Sequence, residues 1–503
     1  MAKASLKTSL QIVPVLFLLL TTLWLRLANL GYSDYQGDEI KALASPLSGQ
    51  SLVDFLFQQR KGPVQFLTSY LIKLAHPALT NRFLVRLPFA LAGFAAIWVF
   101  YRLVRLHYGS KVAVIAALFL SINGLMIGLT RIVQYQSIVI LFSILALYCF
   151  SLALKVAHWK IAGLYVGMLC WAVAILSHFD GIFIAPFAAY LLVRWFREAP
   201  SLTPRQRLIH LAAPAVLAAL LLGVYFIPYL ASLRSSTQQY WWLRITGDEP
   251  GAGVPSSIFT FNLYNPLLAI YVYAILGALS LYQIRRSYPI WLWFAFPWVI
   301  LERMVGDPGT HIYTYIMPAC ILLALGVESL EALLRRLRGG RAVQAATYSL
   351  IALVVLFLAG VSHLIFIDHS PEYPWEERRI LFWAVGKPDE TYRMWAFGFP
   401  YFRRWDEIGN FVSLKSDSGY YSTNENKSIA SYFVPYPFDI NRSGYYIHIY
   451  HPQSLRERLS DDKVRYWTKN YSPVKVFEVG GNIVAAIYQM PVGGVDEIKS
   501  LGD

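Results

Sequence analysis

The chain has 503 residues, of which 56% are hydrophobic, 16% aromatic and only 15% charged, with a net charge of +14. A soluble globular domain carries about a quarter charged residues, so lipid must be the solvent for much of this chain. The positive excess is confined: residues 1–367 hold 28 Lys and Arg against 12 Asp and Glu, whereas residues 368–503 hold 16 against 18. A nucleic-acid binder needs a basic patch on a folded surface, and the slightly acidic C-terminal part argues against that class. Basic loops on the cytoplasmic side of a membrane protein give the observed pattern instead. Cys149, Cys170 and Cys320 all fall in apolar runs and read as small buried hydrophobes, so no disulfide framework is expected in the C-terminal part.

In chain order, Lys3 and Lys7 precede an apolar run at 10–30. It is about long enough to span and is not closed by a small-residue cleavage motif, so it reads as a retained first transmembrane helix. Ten more apolar segments follow, with cores at 84–101, 112–129, 132–154, 161–176, 181–193, 208–230, 263–282, 289–301, 312–327 and 348–367. The fold class expected is therefore a polytopic α-helical membrane protein of about eleven spans. Alternating from a cytoplasmic N-terminus puts Arg102, Arg105, Lys111, Lys155, Lys160, Arg194, Arg197, Arg205, Arg207, Arg285, Arg286, Arg335, Arg336, Arg338 and Arg341 inside, against Glu198, Glu328 and Glu331. That asymmetry supports an odd number of spans, with residues 368–503 on the non-cytoplasmic face.

Between the first two spans lies a long outer loop, 31–80, carrying the adjacent carboxylates Asp38-Glu39 and a basic Arg60-Lys61 step. Residues 64–75 are too short and polar to span and read as a helix in the interface plane. The loop could be ordinary solvated connection. A carboxylate there could also take a proton from an acceptor as general base, with Lys61 binding a lipid phosphate as a point charge.

Beyond residue 367, HSPEYPWEERR carries two prolines and five charges and marks a domain boundary. A helix over 402–414 and strands over 445–450, 474–478 and 483–488 are expected, the last two joined by Gly480-Gly481-Asn482 as a hairpin. The division is thus a transmembrane catalytic domain, 1–367, and a soluble α/β or α+β domain, 368–503. Asn426-Lys427-Ser428 and Asn441-Arg442-Ser443 fit a glycosylation sequon that arises often by chance.

Other polar residues sit where chemistry is plausible. Ser177-His178-Phe179-Asp180-Gly181 joins two spans on the outer side, as a tight turn or as part of a pocket. Thr130-Arg131-Ile132-Val133-Gln134-Tyr135-Gln136 places Arg131 at an outer boundary, as a snorkelling arginine or a phosphate contact, with hydrogen-bonding amides after it. His311 reads as a phosphate donor or a satisfied turn histidine. Glu302 and Arg303 read as a pair, and Tyr240, Trp241 and Trp242 as an interfacial belt.

The order of four motifs carries a resemblance. Asp38-Glu39 follows the first span, Lys61-Gly62-Pro63 opens the interfacial helix, Arg86-Leu87-Pro88 opens the second span, and His311-Ile312-Tyr313 with Pro318 opens a late one. Over roughly residues 8–330 the chain resembles the GT-C glycosyltransferases, in the branch of protein O-mannosyltransferases and the lipid A aminoarabinose transferase. The resemblance implies transfer of a sugar from a polyprenyl- or dolichyl-phosphate donor to a lipid, protein or glycan acceptor on the non-cytoplasmic face, usually with inversion. It implies Asp38 as catalytic base with Glu39 supporting it, and Lys61 on the donor phosphate; Arg131 and His311, read from their positions, are the further candidates for that phosphate. His178, Asp180, Gln134 and Gln136 are the expected sugar or acceptor pocket. Two departures stand out. Gly62 replaces a proline, which is expected to loosen the turn, and Gln134 and Gln136 stand where relatives carry another acid. No cofactor and no metal site are expected, though a divalent ion is not excluded. The setting implied is a bacterial or archaeal plasma membrane. Rival classes are a transporter or flippase, which needs mid-span charges and duplicated broken helices, and a glycan polymerase or ligase, whose chemistry would lie in the 234–262 loop.

Overall fold

A computed structural model describes residues 2–59, 61–199, 202–233, 235–246, 257–338, 340–370, 378–381, 383–385, 396–415, 419–439, 444–453 and 468–489. Arg60, Asn441-Arg442-Ser443 and part of the 234–262 loop therefore lie outside the described residues. In order, the helices are α1 (Ala2–Leu27), α2 (Gly37–Ala42), α3 (Leu52–Phe57), α4 (Pro63–Ala75), α5 (Arg82–Tyr108), α6 (Ser110–Ile122), α7 (Gly124–Thr130), α8 (Gln136–Lys155), α9 (Ala162–Ser177) and α10 (Ala185–Glu198). Then come α11 (Pro204–Ala231), α12 (Ser235–Thr246), α13 (Ser257–Tyr264), α14 (Leu268–Ser280), α15 (Ile284–Val299), α16 (Tyr313–Arg338), α17 (Arg341–Phe366), α18 (Trp405–Lys415) and α19 (Lys427–Phe433).

Among the described residues, seven helical stretches are long and apolar enough to cross a membrane, or eight if α6 and α7, bent by 64° at Asn123, form one span. Ile12–Leu27 and Ala162–Ser177 are shorter apolar helices. The continuous stretch Leu268–Met304 folds back on itself. Gln283, at its middle, donates to the Leu325 carbonyl and Ser329 Oγ of α16, while Tyr273 and Glu302 line one cavity with Tyr315 at the other end of α16. The two expected segments at 263–282 and 289–301 are thus antiparallel arms lying on one helix. Gly326 allows the approach, since a Cβ there would lie 1.9 Å from the Leu276 carbonyl oxygen. Glu302 and Arg303 do not act as the expected pair: Glu302 accepts from Tyr315 at 2.8 Å, and Arg303 stacks on Trp298. Trp242 of α12 is exposed, as a belt residue would be.

The chain separates into two compact units, and the division differs from a cut at residue 367. The first comprises 1–28, 45–78 and 85–363; the second comprises 29–44, 79–84 and 364–503. The start of the first loop is therefore part of the C-terminal unit's fold. In that unit a four-stranded sheet runs β3 (Tyr421–Thr423), β4 (Tyr445–Ile449), β6 (Asn482–Gln489), β5 (Lys475–Val479), after a separate two-stranded ribbon of β1 (Arg378–Ile380) and β2 (Trp383–Val385). β3 and β4 are parallel, connected through α19; β4–β6 and β5–β6 are antiparallel. The β5–β6 turn is the expected hairpin, with Gly480 and Gly481 at φ 58° and 82°, which glycine adopts without a Cβ penalty. Trp405, Ile408 and Val412 of α18 and Ile429 of α19 form the core with Tyr421, Ile447, Ile449, Phe477 and Ile487, and Ile40 of α2 packs against it.

Polar stitches join the loop to this core. The Asp34 amide donates to the Tyr401 carbonyl at 3.0 Å, and the Arg403 amide donates to Asp34 Oδ2 at 2.6 Å. Arg82 Nη2 sits 2.9 Å from Asp34 Oδ1 and 2.6 Å from Asp406 Oδ2. Nearby, Glu425 is fully buried and accepts from the Asn426 and Gln453 amides and from Tyr401 Oη. Burial outweighs those three donors and pushes its carboxyl up to about 7. A carboxyl raised on folding holds its proton more tightly in the folded state. Its contribution is therefore greatest at low pH and declines as pH rises from the ordinary glutamate range through about 7. Glu425→Gln should flatten the fall in melting temperature between those pH values; a slope as steep as wild type would assign the dependence elsewhere.

Candidate active site

The predicted site residues divide between the units: Asp38 and Glu39 lie in the second, and Lys61, Arg131, Gln134, Gln136, His178, Asp180 and His311 in the first. The acidic pair is itself divided in labour. α2 opens with a capping box, in which Gln36 Oε1 accepts the Asp38 amide at 2.7 Å and Glu39 Oε2 accepts the Gln36 amide at 3.0 Å. Glu39 is fully buried in that task, whereas the Asp38 side chain keeps 37% of its exposure and reaches Lys41 Nζ at 3.2 Å. Asp38 is the more exposed member of the pair.

In the first unit, the α4 N-terminus carries Lys61. Its backbone is held by Tyr225, whose hydroxyl donates to the Leu56 carbonyl at 3.3 Å and reaches the Lys61 carbonyl at 3.5 Å. Gly62 does not loosen this turn. It lies against α9 so closely that a Cβ would be 1.9 Å from the Leu176 carbonyl oxygen and 2.9 Å from that of Ser177. Its φ of −64° is ordinary, so close approach, not backbone freedom, requires the glycine. Gly62→Ala should cost roughly 1–3 kcal/mol through overpacking against a fixed carbonyl. The checks are the thermal midpoint and the lipid-phosphate affinity, both of which should fall; wild-type values for both would refute the close-approach account.

Asn123 ends α6 and caps α7, accepting the Met126 amide at 3.2 Å, and the chain leaves α7 into a non-helical run, 131–135, before α8 resumes. Irregular backbone at membrane depth is tolerated where protein or a polar cavity covers it. This run brings Gln134 and Tyr135 to Lys61. Lys61 Nζ donates to Gln134 Oε1 at 2.8 Å and stands 4.9 Å from the centre of the Tyr135 ring. Tyr135 stacks on His178, centroids 4.0 Å apart. Gln136, buried at the start of α8, has no hydrogen-bond partner for Oε1 among the described residues. Arg131 turns elsewhere: it is buried, and its Nη1 donates to the Leu25 carbonyl of α1 at 3.1 Å. The contact observed there is a helix tie.

His178 and Asp180 flank Phe179 at the break between α9 and a short 3₁₀ turn, Phe179–Ile184. His311 ends the approach to α16 on another 3₁₀ turn, Gly309–Ile312. All three are buried, and their ligand atoms lie within 4.8 Å of one another. His311 Nδ1 is 2.7 Å from Asp180 Oδ2, and Tyr313 Oη donates to the same oxygen at 2.8 Å. His178 Nδ1 accepts the Asp180 amide at 3.2 Å and lies 3.1 Å from Asp180 Oδ1. The two readings of this turn, pocket wall or plain connection, resolve toward a polar cluster that continues through Tyr135 to Lys61. Tyr313 and Tyr135 were legible only as members of motifs; Asp34 and Arg82 carried no signal in the sequence.

With this geometry in view, comparisons are informative. Residues 63–226 match the family model of dolichyl-phosphate-mannose-protein mannosyltransferases. No curated protein is significantly similar by sequence. Among solved structures, the archaeal oligosaccharyltransferase AglB from Archaeoglobus fulgidus, in complex with an inhibitory peptide and a dolichol-phosphate, superposes with a TM-score of 0.52 at 14% identity, over 92% of this chain and 71% of that one. ArnT from Cupriavidus metallidurans bound to undecaprenyl phosphate superposes with a TM-score of 0.52 at 13% identity, over 96% of this chain and 98% of that one. The same enzyme in its apo state gives 0.50 at 12% identity. The fold is therefore the GT-C fold, with its polytopic helical body and attached soluble part.

Proposed function

We propose that this chain is a membrane glycosyltransferase that moves a sugar from a polyprenyl- or dolichyl-phosphate donor to an acceptor on the non-cytoplasmic face. One observation carries the reading: Lys61, two residues before the segment that matches the mannosyltransferase model, is held at a buried polar cluster by Gln134 and Tyr135 of that segment. A cation so placed is a receptor for a lipid phosphate, the ligand present in the AglB and ArnT structures. Asp38 takes the proton of the acceptor's hydroxyl or amine. The acceptor's electron pair attacks the anomeric carbon, the bond from that carbon to the phosphate oxygen breaks, and the lipid phosphate leaves with the pair. Inversion follows from a single displacement. Stabilising the departing charge is the larger electrostatic task and falls to Lys61. Gln134, Gln136 and His178 supply donors and acceptors suited to sugar hydroxyls.

An outward-facing C-terminal unit agrees with the loop charges, and a bacterial or archaeal plasma membrane is the setting proposed. The transporter alternative gains nothing from the structure, because the charged cluster sits on connections between helices and not in mid-span. The test is a panel of polyprenyl-phosphate sugars offered to purified protein in nanodiscs with lipid, peptide and glycan acceptors. Sugar transfer from at least one donor is expected. Movement of donor across the bilayer with no new glycosidic product would overturn the assignment in favour of a flippase.

A further inference from the structure

The cluster of His178, Asp180 and His311 has a feature that sugar binding does not explain. His178 Nδ1 accepts the Asp180 amide, so that nitrogen carries a lone pair and no proton. It nevertheless faces Asp180 Oδ1 at 3.1 Å, and Oδ1 has no hydrogen-bond donor among the described residues. Two buried acceptors face each other with no donor between them, an arrangement that costs free energy unless a positive charge joins them. Histidine 311 completes a three-point arrangement, with all three ligand atoms within 4.8 Å of one another. Zinc bonds imidazole nitrogen and carboxylate oxygen at about 2.0–2.2 Å, so ligand atoms around one ion stand about 3–3.5 Å apart. The observed cluster needs only a small adjustment to reach that spacing. Tyr313 Oη on Asp180 Oδ2 is the kind of outer hydrogen bond that fixes a ligating carboxylate.

Charge leads to the same place. A phosphodiester donor is an anion, and Asp180 is a carboxylate in the polar cluster that Lys61 shares through Tyr135 and His178. Asp180 opposes Lys61 in charge and so weakens the attraction that Lys61 offers the donor. A divalent ion on Asp180 reverses that balance.

We propose that His178, Asp180 and His311 bind one divalent transition-metal ion of the zinc class, leaving an open coordination position that takes a phosphate oxygen of the donor. The ion site stands on the geometry alone; the phosphate role rests on the glycosyltransferase reading. Two imidazoles and one carboxylate favour zinc or cobalt over magnesium and calcium, which prefer all-oxygen shells.

The experiment is elemental analysis of the full-length protein purified without chelator, followed by chelator treatment and titration with Co²⁺, in the absence of any donor. About one ion per chain and tetrahedral Co²⁺ absorption bands are expected. The bands should vanish in His311→Ala and Asp180→Asn, persist in Asp38→Asn, and return in altered form in His311→Cys, which restores a ligand. The wild-type measurement needs no variant, so a variant that fails to fold does not decide the matter. Absence of metal from wild type with no Co²⁺ bands, or bands unchanged in folded His311→Ala, overturns the site and leaves a proton as the joining charge. Metal bound through the triad in a protein that transfers no sugar would retain the site and reject the glycosyltransferase reading.

Discussion

Asp38→Asn should lower sugar transfer by about 10²–10⁴-fold, the usual range for loss of a general base, with expression and melting temperature unchanged. The substitution keeps the shape of the side chain and removes only its ability to take a proton. Little structure depends on that charge: Asp38 is substantially exposed, and its ion pair with Lys41 is of the surface kind that contributes at most about 1 kcal/mol. The α2 cap uses the Asp38 amide, not its carboxylate. Glu39 supplies the contrast. Its carboxylate closes the capping box from a fully buried position, so Glu39→Ala should cost roughly 1 kcal/mol of stability before it affects turnover. An Asp38→Asn enzyme with full turnover would remove the base from the mechanism, whatever became of Glu39.

Lys61→Ala should weaken binding of the lipid-phosphate donor about 10–100-fold, since a hydrogen bond to a charged group contributes about 1.5–3 kcal/mol. Binding of labelled polyprenyl phosphate to the purified protein reads this directly. The ammonium is prepositioned by Gln134 and Tyr135, so the loss should fall on donor affinity and leave the acceptor's KM close to wild type. Lys61→Arg should recover only part of the affinity, because a planar guanidinium cannot occupy the same point over the Tyr135 ring and on Gln134 Oε1 at once. An unchanged donor affinity with a raised acceptor KM would move Lys61 to the other substrate.

Much of the body of the fold was legible because lipid imposes a simple grammar. Long apolar runs, basic loops and proline-marked boundaries translate into helices with few rivals. The arms at 268–280 and 284–299 were separable for the same reason, although length and composition alone merge them into one stretch. The β5–β6 hairpin was written in its glycines. What the sequence did not show is which segments fold together. Residues 29–44 read as a loop of the membrane body, yet Asp34, Tyr35 and Ile40 belong to a unit whose other partners, Tyr401, Arg403 and Tyr432, lie more than 350 positions later. No local periodicity encodes a pairing of that range.

The site was legible as a list of residues and not as an arrangement. Lys61, Gln134, His178, Asp180 and His311 could each be named from residue type and position, and the structure joins them in one cluster. Arg131 could be named too, but its partner is the Leu25 carbonyl, which no motif announces. Gly62 showed as a missing proline; its function, a close approach to Leu176, appears only once α9 is in place. The glutamines at 134 and 136 marked the absence of an acid, while Asp180 supplies a buried carboxylate from a different connection.

The most direct measurement is the count of free lipid phosphate released per sugar transferred, in single turnovers with wild-type and Asp38→Asn protein. Transfer from a lipid-phosphate sugar predicts equal amounts of glycosylated acceptor and polyprenyl phosphate in wild type, and both products formed about 10²–10⁴-fold more slowly by the variant. Donor consumed without equivalent lipid phosphate, or equal release by Asp38→Asn, would contradict the account.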